Sequence, residues 1–266
     1  MGDSSAVPAA EQALGILSYM ARQRGPVTAA AIANALAVPR STTYHLLAVL
    51  IRQGFVTHLS ERRRYGLGVS ALELGTGYAR QEPLAQLGRP LVETLARTAG
   101  ANAHLAVMHG TDVLYIVEER PRQAPRLVSG LGVRLPAHLT ASGRAMLSAM
   151  PTEQFWALYP DREMLVERTG RGPRTVAELR DWLRTARARG YATEVSEITQ
   201  GLVSVGLPVL DHLGWPTAAI ALTFPEADGR ALDEVADEIR PASQELSRRI
   251  GGVPARLVHR DVTSRP

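Results

Sequence analysis

Short hydrogen-bonding side chains and one guanidinium cluster at the start of a predicted helix near the N-terminus. They are Arg40, Ser41, Thr42, Thr43 and His45. Groups of this kind, at the N-terminal end of a helix, can bond the edges of base pairs in the DNA major groove. The alternative is a surface helix with an ordinary first turn rich in serine and threonine. This segment by itself favours neither interpretation, so the flanking elements must decide.

Two predicted helices position this cluster. Thr28 is suited to cap a helix that runs to Leu36, and a short turn follows. Pro39 suits the first position of the next helix, and Gly54 stands where the residue after a helix end normally does. A preceding helix is expected over residues 11–24. Helix, short turn, helix is the pattern of a helix-turn-helix.

Three adjacent arginines follow the second of these helices. Arg62, Arg63 and Arg64 lie between two short predicted strands, Phe55 to Thr57 and Tyr65 to Leu67. A run of arginines on a hairpin is often only a solvated turn. Directly after a base-reading helix it resembles the wing of a winged helix-turn-helix, whose tip contacts phosphates. We therefore expect these three residues to bind DNA.

The charge distribution supports the same interpretation. All 30 basic residues are arginine, and residues 1–80 hold eight arginines against four acidic residues, whereas the rest of the chain is balanced. A net positive charge confined to one segment is typical of a DNA-binding module joined to a neutral domain. The chain has no cysteine, which excludes disulfides and thiolate sites, and no apolar run long enough to span a bilayer. We expect a cytoplasmic protein with no membrane partner.

The pattern becomes that of an α/β domain from Ala103 onward, and with the helical N-terminal part the whole chain is expected to be of the α+β class. Two helices are predicted over 70–99, interrupted near Pro83, and strands and helices then alternate. The predicted strands cover 104–108, 113–117, 126–135, 191–195, 202–210 and 216–223, and the predicted helices 140–150, 176–189 and 231–250. The apolar face carrying Leu72, Leu74 and Tyr78 is our candidate dimer contact.

The stretch from Thr140 to Gly143 opens one of these helices with small residues. A helix N-terminus offers amide groups without intrahelical acceptors and a partial positive charge, so it favours anions. Small side chains at Ala141, Ser142 and Gly143 would let a ligand approach closely. The alternative, and the better one for this stretch alone, is a capped helix packed tightly on a sheet.

Three stretches, in this order and spacing, resemble the IclR family of bacterial transcriptional regulators over nearly the whole chain. They are PRSTTYHLL with the wing RRRYGLG, then LTASGRAMLSAM, then EVSEITQGLVSVGLPVLDHLGWPTAAIALTF. The resemblance implies a winged helix-turn-helix at 6–68, a linker helix at 69–82, a GAF-like α/β effector-binding domain at 83–252 and a flexible tail at 253–266. It also implies a homodimer, or a dimer of dimers, on double-stranded operator DNA.

The resemblance implies an effector site as well. Small ligands would be held by the backbone of Ala141 and Ser142 and by polar positions on facing strands. Those positions correspond to Glu194, Ser204, Ala221 and Thr223, and alanine at 221 lacks the hydroxyl found in relatives. The family often has arginine at the position of His45 and lysine at that of Arg144.

We expect the effector to be a small organic acid, aromatic acids included. Leu105 and Leu131 should cover its apolar face. The resulting hypothesis is a one-component regulator, acting as a repressor or otherwise, that senses such an acid and controls a nearby catabolic operon. We expect no cofactor and no metal.

Two rival classes of function are open to the same sequence. An enzyme is disfavoured because the seven histidines form no metal-ligand spacing, and neither a Gly-x-Ser-x-Gly elbow nor a P-loop is present. The other rival is a ligand-independent DNA-binding or scaffolding protein whose C-terminal domain only oligomerises. A ligand that stabilises the protein against melting would argue against that rival.

Overall fold

The computed structural model describes residues 7–23, 25–81, 83–125, 127–160 and 165–252, with residues 76–81 described for their backbone alone. The chain forms two compact units that divide after Glu82. The predicted tail at 253–266 and the side chain of Tyr78 lie outside the described residues. Among the described residues, no helix is long and apolar enough to cross a membrane.

The first unit contains three helices that pack around one small core. They are α1 (Pro8–Ala21), α2 (Ala29–Leu36) and α3 (Arg40–Arg52). Thr28 caps α2, its hydroxyl accepting the amide of Ala31 at 3.2 Å, as the sequence predicts. Ala37 is in the left-handed region and makes the sharp turn into α3. Gly54, with φ of +74°, follows the end of α3.

A hairpin and a further helix complete this unit. Strands β1 (Val56–Leu59) and β2 (Arg64–Leu67) pair antiparallel and flank a 3₁₀ turn. Val27 adds a bridge to Tyr65, with backbone bonds of 2.9 and 2.7 Å, so the hairpin is tied to the segment before α2. Helix α4 (Val69–Gln81) follows. The winged helix-turn-helix inferred from the sequence is confirmed.

The second unit is built on a six-stranded antiparallel sheet of order β5-β4-β3-β8-β7-β6. The strands are β3 (Asn102–His109), β4 (Asp112–Glu119), β5 (Arg134–Pro136), β6 (Ala192–Val195), β7 (Leu202–Leu210) and β8 (Pro216–Pro225). The helices are α5 (Pro83–Ala99), α6 (Ala141–Ala149), α7 (Thr152–Leu158), α8 (Val176–Arg189) and α9 (Leu232–Arg249).

Helices cover both faces of this sheet. Helices α5 and α9 pack on one face, where Leu105, Ile220 and Leu246 belong to one core. Helix α6, backed by α8, packs on the other, where Met146, Tyr115 and Ala219 belong to a second core. The strands are therefore buried on both sides, and their sequences are nearly continuous apolar runs.

Helix α6 lies unusually close to the sheet because of a glycine. A Cβ on Gly206 of β7 would stand 2.8 Å from the carbonyl carbon of Ala141 and 3.0 Å from the amide nitrogen of Ser142. Real side chains essentially never approach backbone atoms this closely. The first turn of α6 therefore rests directly on β7.

One expectation from the sequence was wrong, and one helix was missed. The strand predicted over 126–135 is limited to Arg134–Pro136, because the turn that ends with Gly132 at φ of +78° leaves only the last residues to pair with β4. Helix α7 was not predicted, because its seven residues after Pro151 are too few to show helical periodicity.

Candidate DNA-binding surface and effector pocket

The start of α3 presents a polar surface to solvent. Arg40, Ser41 and His45 are exposed and Thr42 is half-buried, so four of the five predicted residues can meet another molecule. Tyr44, which the sequence patterns did not single out, is also exposed, at 54%. It stands between Thr43 and His45, and the sequence signal for it is an aromatic residue within that polar cluster.

The prediction that Thr43 contacts DNA is wrong. Its side chain is fully buried, and its hydroxyl donates to the carbonyl of Pro39 at 3.1 Å. The helical repeat explains this placement: Thr43, Leu47 and Leu50 lie four and three residues apart and share the face that packs on α1 and α2. Thr43 therefore supports the first turn of α3 from inside the unit.

The three wing arginines differ in their surroundings. All are exposed, but the Nη1 atom of Arg64 donates to the carbonyl of Pro26 at 2.9 Å. Arg63 is in the left-handed region at the turn, and Arg62 ends the 3₁₀ turn. Behind them, the rings of His58 and Tyr65 stack at 4.7 Å and stiffen the hairpin. Arg62 and Arg63 thus project from a braced tip.

In the second unit, a pocket lies between the start of α6 and the facing strands. Thr140 caps α6, its hydroxyl accepting the amide of Gly143 at 3.0 Å. The amides of Ala141 and Ser142 are in the first helical turn, where intrahelical acceptors are lacking. Both residues line the pocket.

Polar side chains from three strands form a hydrogen-bonded row along the pocket. Glu194, Ser204 and Thr223 are direct cross-strand partners on β6, β7 and β8. The hydroxyl of Ser204 lies 2.7 Å from the carboxylate of Glu194 and 2.9 Å from the hydroxyl of Thr223. The other oxygen of Glu194 accepts the amide of Ile198 at 3.0 Å.

Glu194 is an unusual carboxyl group. Burial raises its pKa to about 7, although the hydrogen bonds from Ile198 and Ser204 lower it in part. The group therefore titrates near neutral pH, and below that pH it can donate a hydrogen bond as well as accept one.

Residues 76–248 match the family model described as the bacterial transcriptional regulator IclR C-terminal domain. Residues 9–60 match the IclR helix-turn-helix domain. The chain is 29% identical over 245 residues to the glycerol operon regulatory protein of Streptomyces coelicolor, covering 91% of this chain and 95% of that protein.

Solved structures give the same result. The crystal structure of Thermotoga maritima IclR superposes with a TM-score of 0.69 at 26% identity, covering 91% of this chain and 98% of that one. An IclR homologue from Microbacterium hydrocarbonoxydans, complexed with 4-hydroxybenzoate, superposes with a TM-score of 0.75 at 21% identity, over 91% and 98%. The chain belongs to the IclR family. It is a DNA-binding transcriptional regulator, in a family whose named members are regulators and not enzymes.

Six of the eight residues predicted for the effector site of this IclR-family protein line the pocket. They are Ala141, Ser142, Glu194, Ser204, Ala221 and Thr223. Leu105 does not line it, because its side chain points to the opposite face of the sheet and packs against α5 at Gly88. Leu131 does not either, because it lies in a glycine-flanked turn and is 68% exposed.

The rest of the pocket lining, most of it apolar, comes from residues that the sequence did not predict. They are Tyr115, Leu127, Val128, Ser129, Leu135, Thr140, Ile198, Thr199 and Leu202. Residues 127–129 form a roof without regular secondary structure. The free volume of this partly open pocket is about 30 Å³, which is room for about two water molecules. An organic ligand therefore requires a wider pocket than this one.

Proposed function

We propose that this regulator binds a small organic acid in the pocket at the start of α6, and that binding changes its occupancy of operator DNA beside a catabolic operon. The observation that carries the proposal is a buried helix start facing a row of hydrogen-bonding side chains. A ligand can shift the protein between DNA-competent and incompetent forms only through unequal affinity for them. A widening of the pocket on binding would be the structural difference between such forms.

The carboxylate of the effector would bind the amides of Ala141 and Ser142. The helix dipole contributes about 0.3–1 kcal/mol at an exposed helix end and up to about 2 kcal/mol when partly buried. Both residues are about 2% exposed, so the favourable case applies. Hydrogen bonds from these amides to an anion are of the stronger, charge-assisted kind.

Glu194 then selects among acids. Its carboxyl group would repel a second carboxylate when ionised, so the site favours acids with one carboxylate. A hydroxy acid, including a phenolic one, presents that carboxylate to the helix start and leaves only an uncharged hydroxyl for the rest of the pocket. One protein with this fold is known in complex with 4-hydroxybenzoate, so the fold can enclose a ligand of this shape.

Calorimetry with a panel of hydroxy acids and their methyl esters tests this proposal. The acids should bind and the esters should not, because an ester carries no charge to the helix start. If the esters bind as well as the acids, the pocket recognises shape and the carboxylate model is wrong. If neither class binds, the C-terminal domain acts without a ligand, as in the oligomerising alternative.

Acid binding should strengthen as the pH falls from 8 to 6. Above about pH 7 the carboxyl group of Glu194 is ionised and repels the effector, and below it the group is neutral. The effector itself stays ionised over this range, since ordinary carboxyl groups have pKa values near about 4. We expect affinity about three- to tenfold higher at pH 6 than at pH 8.

Glu194→Gln is the matched control for the pH profile. Its amide can donate to Ser204, whose hydroxyl then donates to Thr223, while its oxygen accepts the amide of Ile198. The variant should bind the acids with little dependence on pH. An equally steep profile in the variant would assign the titration to another group.

For the N-terminal unit, we propose that the exposed start of α3 reads base edges and that the wing contacts phosphates. Replacing Arg62 and Arg63 together by alanine should weaken binding to operator and scrambled duplexes alike, because phosphate contacts carry no sequence information. The logarithm of the binding constant falls linearly with the logarithm of the salt concentration. The magnitude of this slope should decrease by about 0.9 for every arginine that no longer neutralises a phosphate. Mobility shifts at several salt concentrations measure both quantities.

Arg64→Ala, in the same assay, separates direct contact with DNA from support of the hairpin. Because Arg64 already bonds Pro26, its removal should affect the wing chiefly through the position of the hairpin, with a smaller change in salt slope. A double variant that binds both duplexes like the wild type would show that the wing does not touch DNA.

We also propose a homodimer, or a dimer of dimers, assembled in part through α4. Val69, Leu72 and Leu74 are 65–70% exposed, an apolar surface on a helix at the end of the first unit. Dimers of helix-turn-helix proteins read two half-sites about 34 Å apart or a multiple of that. Light scattering that shows a monomer at micromolar concentration without DNA would contradict this assembly.

A further inference from the structure

Two buried polar side chains stand side by side on β3 with unsatisfied hydrogen-bonding atoms. His104 is 1% exposed, and neither of its ring nitrogens has a partner among the described residues. Asn102 is fully buried; its amide donates to the carbonyl of Pro125 at 3.1 Å, but its oxygen has no partner in the same part of the chain. Unpaired buried polar atoms are rare, because each costs free energy that a bond would recover.

Both residues border the effector pocket. Asn102 pairs directly with Thr223, and His104 with Ala221, on the face of the sheet that these two pocket residues share. Side chains paired in this way stand about 4.5–5.5 Å apart at Cβ. The ring of His104 also contacts Tyr115, another pocket residue, edge-on at 5.4 Å. His104 and Asn102 are thus the next side chains beyond the pocket wall, on the side away from Glu194.

Among the described residues His104 has no hydrogen-bond partner, and the alanine directly opposite it at 221 offers only a methyl group. A serine at 221 would place a hydroxyl on the side chain that faces the imidazole. Burial lowers the pKa of His104 to about 4, so the ring is neutral, with one nitrogen donating and the other accepting. A neutral ring beside an acceptor oxygen suits a hydroxyl, which both donates and accepts, better than a second carboxylate, which only accepts.

We propose that His104, with Asn102 beside it, binds a hydroxyl at the far end of the effector and so determines specificity for long hydroxy acids. This inference rests on the proposed function, since it takes the carboxylate to lie at the start of α6. The start of α6 packs on Gly206 of β7. Gly206 pairs with Ala221 on β8, and Ala221 pairs with His104 on β3, so His104 lies two strands away from the start of α6.

The span sets the length of the ligand. Two strand spacings amount to roughly 10 Å, so an acid of two or three carbons bound at α6 does not reach His104. An acid whose hydroxyl is separated from its carboxylate by a benzene ring or a chain of four carbons does.

The test measures the dissociation constants of two matched pairs by calorimetry. The pairs are benzoate with 4-hydroxybenzoate, and pentanoate with 5-hydroxypentanoate. The wild type should prefer the hydroxylated member of a pair by about five- to tenfold, the worth of one or two neutral hydrogen bonds. His104→Phe keeps the ring against Tyr115 but cannot bond, so its preference should fall to about one.

Two further variants separate recognition from support. His104→Gln keeps a donor and an acceptor and should keep much of the preference, and Ala221→Ser should reduce it by giving His104 a partner within the protein. His104→Phe should melt no lower than the wild type without ligand, because it removes two buried polar atoms that have no partner among the described residues. Two results would overturn this inference but leave the proposed function standing. One is a hydroxyl preference that is unchanged in His104→Phe, and the other is a His104→Phe variant that loses stability and all acid binding together. A wild type that binds none of the four acids contradicts the proposed function, and the inference with it.

Discussion

Replacing Arg144 by methionine is expected to lower the free energy of unfolding of the C-terminal domain by about 3–5 kcal/mol, the usual cost of breaking a buried ion pair from one side. Arg144 and Glu197 bond at 2.9 Å with side chains only 3% and 4% exposed. Methionine fills a similar volume but leaves the carboxylate of Glu197 in the interior without its cation.

Arg144 also holds three segments together. Its guanidinium donates to the carbonyl of His138 at 2.7 Å and to that of Thr193 at 2.6 Å, and it stacks on the ring of Trp182 at 4.5 Å. Thr193 immediately precedes Glu194, so this contact fixes one wall of the pocket relative to α6. Arg144→Met should therefore weaken acid binding as well as stability.

Urea unfolding at fixed protein concentration measures the effect, with Arg248→Met as the control. Arg248 pairs with Glu245 three residues away on α9, but its side chain is 70% exposed. Removing an exposed pair should cost no more than about 1 kcal/mol. Arg144→Lys keeps the charge but cannot make all of these contacts, so it should fall between the two. Equal costs for Arg144→Met and Arg248→Met would contradict the assignment.

The elements of the first unit could be predicted from sequence because local signals mark their ends. Thr28 caps α2 through a hydrogen bond within one turn, and Gly54 takes a backbone conformation that other residues rarely adopt. Such signals depend on neighbours in the chain and need no knowledge of the fold. Thr43 could have been placed correctly from the same kind of local signal. Its spacing from Leu47 and Leu50 puts all three residues on the buried face of α3.

The second unit was harder to predict because its sheet is covered on both faces. His104 and Leu105 are consecutive and almost completely buried, yet one borders the pocket and the other packs on α5. Alternation assigns neighbouring residues to opposite faces, but it cannot say which face holds the pocket when both are apolar. Leu105 was assigned to the wrong one for this reason.

The pocket residues predicted correctly lie on regular elements, and those missed lie mostly on irregular segments. Ala141, Glu194, Ser204 and Thr223 occupy a helix start or paired strands, whose positions follow from topology. The roof at 127–129 follows from no such rule, because its path depends on contacts such as the bond from Asn102 to Pro125. Part of the pocket lining therefore lies on the segments that sequence patterns describe least well.

Gly143→Ala is expected to lower the stability of the same domain by about 3 kcal/mol or more, at the upper end of the cost of overpacking. A Cβ on Gly143 would stand 2.7 Å from the carbonyl carbon of Ala137, and closer still to its oxygen and Cα. Ala137 cannot easily move, because it is fully buried and its carbonyl accepts the amide of Thr140 at 3.3 Å. The methyl group must therefore push the first turn of α6 away from its cap.

Calorimetric melting provides the measurement, and Gly130→Ala in the same domain provides the control. A Cβ on Gly130 would meet only side-chain atoms, at 3.5 and 3.7 Å, which are ordinary contact distances. For a domain of this size we expect Gly143→Ala to lower Tm by about 6–12 °C, with Gly130→Ala close to the wild type. Because the displaced turn carries the amides of Ala141 and Ser142, acid binding should be abolished even at temperatures where the variant remains folded. If Gly143→Ala melts at the same temperature as Gly130→Ala and binds acids normally, the tight contact between α6 and Ala137 does not hold the helix start in place.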